Sequence, residues 1–144
     1  MEAAAAALGL QLRVLKASAE RDIDQAFATL AELRAGALVI GTDTFFTSRS
    51  ERLGELTVRH GVAAIYQTRE FATAGGLMSY GGNVAEAYRS AGVYVSRILK
   101  GEKPADLPVQ RITKVDLIIN FKTAKALGLS VPLPLSGGAD EVIE

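Results

Sequence analysis

The sequence predicts an α/β fold: a three-layer, Rossmann-like arrangement of a mostly parallel sheet with helices on both sides. Two observations predict it. Short, wholly apolar runs, Ala37 to Gly41 (ALVIG) and Val62 to Tyr66 (VAAIY), have the composition of strands covered on both faces. Segments of helical period separate such runs at the spacing of βαβ units. At 144 residues the chain has the size of one domain with a real core.

In chain order, Ala3 to Leu8 reads as the end of a helix stopped by Gly9. Leu10 to Ala17 alternates apolar and polar residues, which predicts a strand. Ser18 is the expected N-cap of the next helix. Glu20, Asp22 and Asp24 place negative charge at its positive end, Ile23, Ala26, Phe27, Leu30 and Leu33 form its apolar stripe, and Gly36 stops it. After ALVIG, Ser48 and Glu51 stand at capping-box spacing and open a helix that ends at His60-Gly61. His60 reads as a helix C-terminal residue facing the dipole rather than as a base. Leu77 to Tyr80 is a third strand, set between the pairs Gly75-Gly76 and Gly81-Gly82. Asn83 and Glu86 then cap the longest helix, striped by Val84, Ala87, Tyr88, Ala91, Val95, Ile98 and Leu99 and ended by Gly101 and Pro104. Val115 to Ile119 is a last strand, Asn120 to Leu127 a short helix, and an irregular tail starts at Pro132.

Composition excludes several functions. Lys+Arg and Asp+Glu are equal at 16 each, so no clustered positive charge marks a nucleic-acid or anionic-lipid partner. Without Cys there is no disulfide framework, Fe–S site or thiolate zinc site, and one His rules out a multi-His metal site. No cofactor is implied. No apolar run reaches the roughly 18 to 20 residues of a membrane span. The Ala-rich N-terminus has no basic region or secretory cleavage pattern, so no signal peptide is read in this chain. Nucleophile elbow, Walker loop and dinucleotide fingerprint are all missing, which argues against an enzyme; a receiver-like enzyme with Asp43 as acceptor lacks the acidic pair and the Lys it would need.

Ligands of open α/β sheets sit beyond the carboxyl ends of the strands. Two loops meet that rule. The first, Thr42 to Thr47, carries Asp43 with Phe45 and Phe46: either the rings stack on an apolar ligand while Asp43 accepts from an amine, or the rings fold back as core and Asp43 caps a turn. In the second, Gln67 to Phe71, Arg69 either grips a carboxylate with its planar fork or pairs at the surface with Glu70 or a neighbouring helix. The two glycine pairs mark sharp bends or a hinge.

Several runs carry a resemblance: Gly101 to Gln110 (GEKPADLPVQ), Thr113 to Asn120, Lys122 to Leu129 and Ala139 to Glu144, with Gly41 to Phe46, Ala64 to Phe71 and Gly75 to Gly82 upstream. In order and over essentially the whole chain, they resemble a bacterial family of substrate-binding proteins for ATP-binding-cassette transporters, which is similar to type I periplasmic binding proteins. The resemblance implies two Rossmann-like lobes that close on a small solute, a permease partner and a periplasmic location for the full-length family. It implies that this chain is the C-terminal portion, since members are about twice as long and the opening of the first lobe and the first strand of the second have no counterpart here. Residues 1–77 then belong to the second lobe, 78–114 to a crossover and the first lobe, and 115–144 to a returning crossover strand, short helix and tail of the second. Asp43, Thr44, Phe46, Tyr66, Arg69, Glu70, Tyr80 and Asn83 are the positions it assigns to the cleft, with an amino acid or related carboxylate as solute. The stripe on the helix from Val84 to Leu99 would lack its sheet, so a homodimer is expected. The rival expectation is a truncated fragment that folds and dimerises without transport function.

Overall fold

A computed structural model describes residues 1–110 and 114–144. Residues 111–113, the last of which opens one of the resembling runs, fall within the expected first-lobe segment and lie outside the described residues. The chain divides into two compact units, residues 1–35 and 36–144.

In the first unit, α1 (Glu2–Ala7) stops at Gly9, where Leu10 N–H returns to the Ala5 carbonyl at 2.9 Å and Gly9 N–H to Ala6 at 3.0 Å. The N-cap of α2 (Glu20–Glu32) is Ala19, one residue beyond the expected Ser18. Asp22 supplies what Ala19 lacks: its carboxylate accepts from Ala19 N–H at 2.9 Å, from Ser18 N–H at 2.9 Å and from the Ser18 hydroxyl at 3.1 Å. The Ser18 N–H foremost among these holds the Asp22 carboxyl below its ordinary range. Ile23, Phe27 and Leu30 are the buried stripe. Arg34, with φ of 49°, takes the left-handed position expected of Gly36. The strand expected over Leu10 to Ala17 is not formed. Alternation provides a face, but a strand also needs a neighbour for its N–H and C=O groups, and the first unit contains no other strand.

The second unit is a five-stranded sheet in chain order: β1 (Ala37–Val39), β2 (Ala63–Tyr66), β3 (Met78–Gly82), β4 (Val115–Asn120) and β5 (Glu141–Ile143). Every pairing is parallel except β3 with β4, which run antiparallel from Met78↔Ile119 to Gly82↔Val115. A turn of helix, α3 (Thr44–Thr47), and then α4 (Ser50–Arg59) connect β1 to β2, and α5 (Arg69–Thr73) connects β2 to β3. Leu53 and Leu56 of α4, Phe71 and Ala72 of α5 and Ala124 of α7 (Phe121–Ala126) form the core with Ala64, Tyr66, Leu77, Ile118 and Ile119 of the sheet side. Burying a side chain as large as Phe71 stabilises by about 1.5–3 kcal/mol.

Two glycines make this packing possible. A Cβ on Gly76 would sit 2.2 Å from the Phe71 ring, and one on Gly81 would sit 2.0 Å from the Gln67 carbonyl oxygen. The loop after β2 thus folds over the end of β3, and only a residue without a side chain lets it do so.

Other expectations are corrected. ALVIG is not covered on both faces: β1 pairs with β2 alone and Val39 is 53% exposed, while Ile40 carries the burial. The Ser48–Glu51 capping box is not made, because α3 intervenes; the hydroxyls of Ser48 and Ser50 instead return to the carbonyls of Phe45 and Thr47 at 3.0 and 2.8 Å. The tail is ordered, as α8 (Leu133–Gly137) followed by β5, with Leu117 and Asp140 exchanging two hydrogen bonds of 2.8 Å.

The helix α6 (Val84–Leu99) begins as expected, with the Asn83 side chain accepting from Glu86 N–H at 3.1 Å. At its far end, the Arg97 guanidinium grips Glu102, and Tyr94 donates to the Pro108 carbonyl. None of its 16 residues is buried. No helix among the described residues is long and apolar enough to cross a membrane.

Candidate functional site

Because β1, β2 and β3 are parallel, their carboxyl ends lie along one edge of the sheet and deliver three connections to it. Asp43 and Thr44 follow β1, Gln67 to Glu70 follow β2, and Asn83 follows β3, within which Tyr80 lies.

Asp43 caps α3: its carboxylate accepts from Phe45 N–H at 2.7 Å. Its carbonyl is a second hub, accepting from Thr47 N–H and from the hydroxyls of Thr47 and Tyr66, each at 3.0 Å. Tyr66, only 2% exposed, stands beneath this loop with its ring edge-on to Phe71 at 5.8 Å and its hydroxyl 2.8 Å from that of Thr47. It supports the loop from below and presents no free ring surface. Phe45 and Phe46 are half-buried and pack edge to face at 5.3 Å, and the Arg49 guanidinium lies 3.9 Å over the Phe45 ring. Thr44 is exposed.

The first two connections are joined directly, since the Thr42 hydroxyl donates to Gln67 Oε1 at 2.6 Å. Arg69 is turned elsewhere. Its Nε and Nη2 donate to the two carboxylate oxygens of Glu141 at 3.0 and 2.6 Å, a bidentate pair that raises the guanidinium pKa further. Glu141 lies on β5, four strand positions from β1, or about 19 Å at the usual interstrand spacing. Among the described residues no hydrogen bond or ion pair joins Arg69 to Asp43. Glu70 is exposed beside Arg69.

Tyr80, in the middle of β3, is 58% exposed and presents a large aromatic face. Asn83 uses its oxygen on α6 and its amide on Asp116 Oδ2, at 3.0 Å. Lys114 approaches the other oxygen of Asp116 at 3.3 Å, and that carboxylate raises the Lys114 pKa. Asn83 and Asp116 thereby tie together the two chain segments that leave the sheet side by side beyond Gly82↔Val115.

Sequence reasoning missed Gln67, Asp116 and Glu141. Each is engaged by a residue 25 or more positions away, a relation with no local signature. An open cavity of about 600 Å³ lies elsewhere, lined by Gly54, Glu55 and Arg59 of α4, the Ala74-Gly75 turn, and Lys122 and Thr123 of α7. None of the eight candidate residues lines it. Among the described residues no group of three or more His, Asp or Glu is placed to hold a metal ion.

Comparison with known proteins adds the following. The sequence profile of a family described as ABC transporter substrate binding protein matches residues 1–143. No curated protein matches the chain. Among solved structures, a conserved domain protein from Vibrio cholerae and an ABC domain in complex with L-Trp from Streptococcus pneumoniae each superpose with a TM-score of 0.84 at 23% identity. A ligand-free, open substrate binding protein with adhesive properties from Clostridium difficile superposes at 0.69 and 21%. These matches cover 98–99% of this chain but only 47–48% of the other chains, so the chain spans about half their length and shares the fold of that half.

Proposed function

The chain belongs to the ABC transporter substrate binding protein family, a family of binding proteins rather than enzymes, and from that premise we propose that it is the second-lobe wall of a solute receptor for an ATP-driven importer. The solute is a small organic molecule held between two lobes outside the cytoplasmic membrane, and the receptor delivers it to a permease. An amino acid is the leading class; the Streptococcus pneumoniae structure, similar in fold over the matched half, holds L-Trp.

The observation that carries this reading is the convergence of three connections at the carboxyl edge of parallel strands. There Tyr80 offers an exposed ring, Asp43 a fixed carboxylate and Arg69 a guanidinium whose present partner is exposed. A carboxylate-bearing solute competes with Glu141 for Arg69. That exchange costs little, since exposed ion pairs contribute at most about 1 kcal/mol.

In the same reading, residues 78–114 pass through a crossover into the first lobe and residues 115–144 return to the second. The bare face of α6 supports it: Val84, Tyr88, Val95 and Leu99 are exposed on a helix that buries nothing. In a two-lobed protein the rest of the first lobe covers that face. The same observation favours a second reading, in which this chain alone covers the face with a second copy and dimerises.

Calorimetric titration with the twenty L-amino acids, L-tryptophan first, tests the proposal. Binding of at least one, weakened about tenfold or more in Arg69→Ala, is expected. Unchanged affinity in that variant removes Arg69 from the site, and no binding across the panel removes amino acids as the solute class.

A further inference from the structure

The Thr42 hydroxyl and the Gln67 carboxamide bridge the connections that leave β1 and β2, and their 2.6 Å bond uses only half of the carboxamide. The hydroxyl donates to Oε1, while Nε2, on the same planar group, makes no hydrogen bond among the described residues. That nitrogen carries two N–H donors. The backbone is held from the other side. The Gln67 carbonyl oxygen lies so close to Gly81 that a Cβ there has no room, and the pairing of β2 with β3 runs up to Tyr66↔Ser79, one position earlier. Gln67 is thus fixed in its backbone by β3 and in its side chain by Thr42.

Two features distinguish this pair from an internal tie. It is reachable, since Thr42 is exposed and Gln67 half-buried at the carboxyl edge of the parallel strands. It also has an aromatic neighbour: one step beyond Tyr66↔Ser79 the parallel register sets Gln67 level with Tyr80, one interstrand spacing of about 4.8 Å away, and the Tyr80 side chain is 58% exposed. A donor whose orientation is already set binds an acceptor without the entropic cost of ordering a free glutamine side chain.

We infer that Gln67 is a further specificity-determining residue: its Nε2 donates to the carboxylate of the solute, and Thr42 is the positioning residue that orients it. The inference rests on the receptor reading above and adds to it a contact that sequence reasoning did not select. An amide nitrogen donates and does not accept, so this contact reads the carboxylate end of an amino acid and not the ammonium end.

Gln67→Glu separates recognition from a tie between loops. The new side chain still accepts from the Thr42 hydroxyl, but a negative charge replaces both donors. In amide-shift titrations of the 144-residue chain, Gln67→Glu is expected to lose about tenfold or more in affinity for L-tryptophan and none for tryptamine, which keeps the indole and the ammonium but has no carboxylate. Thr42→Val is expected to weaken L-tryptophan binding about threefold in the wild-type background and not at all in Gln67→Ala. Melting temperatures of these variants should stay within about 2 °C of wild type. Unchanged L-tryptophan affinity in Gln67→Glu, or equal losses for L-tryptophan and tryptamine, overturns the contact and leaves the receptor reading intact. A fall of more than about 5 °C in the melting temperature of Gln67→Glu marks the pair as a structural tie and also overturns it. A full Thr42→Val loss in the Gln67→Ala background overturns the positioning role of Thr42. Wild-type chain that binds no amino acid of the panel removes the receptor reading, and the role of Gln67 with it.

Discussion

Two amphipathic helices of this chain carry similar stripes and meet opposite fates. Over ten residues, α4 buries Ser50, Leu53, Gly54, Leu56 and Thr57, and α6 buries none over sixteen. The periodicity of a sequence states that a helix has an apolar side; it does not state what covers that side. For α4 the cover is in the same chain, on the β2 strand it leads into and on α5. For α6 no such cover is found among the described residues, and Val84, Tyr88 and Leu99 of its stripe are exposed.

The contrast sets the size of mutational effects. The largest is expected on the covered side. Phe71→Ala removes a fully buried ring packed on Tyr66 and against Gly76, and should cost about 3–5 kcal/mol in urea unfolding. A loss below about 1 kcal/mol would mean that this core is loosely packed, and would erase the distinction between the two helices.

On the bare side, Leu99→Ser changes a side chain that is 82% exposed, so its effect on unfolding of the isolated chain should stay within about 0.5 kcal/mol. Its effect should fall on association. If the α6 face is buried in a dimer, sedimentation should show the wild-type chain as a dimer and Leu99→Ser shifted toward monomer. A well-folded wild-type monomer at tens of micromolar would exclude the dimer and leave a first lobe as the only cover for this face.

The same distinction explains what the sequence made legible. ALVIG, VAAIY and the Asn83 cap depend on nearest neighbours and recur in the structure as β1, β2 and the start of α6. Leu10 to Ala17 alternates apolar and polar residues, but the unit it belongs to holds no strand for it to pair with. The tail reads as irregular in the sequence because β5 is three residues long; its place is fixed by pairing with β4 and by the Leu117–Asp140 exchange, not by local propensity. The candidate site divides likewise. The loops after the strands follow from the parallel topology, whereas the attachment of Arg69 to Glu141, 72 residues later, follows from nothing local.

We propose that the carboxyl edge of β1–β3 is the solute-binding wall. Amide chemical-shift mapping of the ¹⁵N-labelled chain during titration with millimolar L-tryptophan tests it most directly. The expected result is shifts gathered at Thr42 to Thr47, Gln67 to Glu70, Tyr80 and Asn83, with Gly54, Arg59 and Lys122 unmoved. Shifts confined to the cavity lined by those last three residues, with the strand-end loops silent, would contradict it.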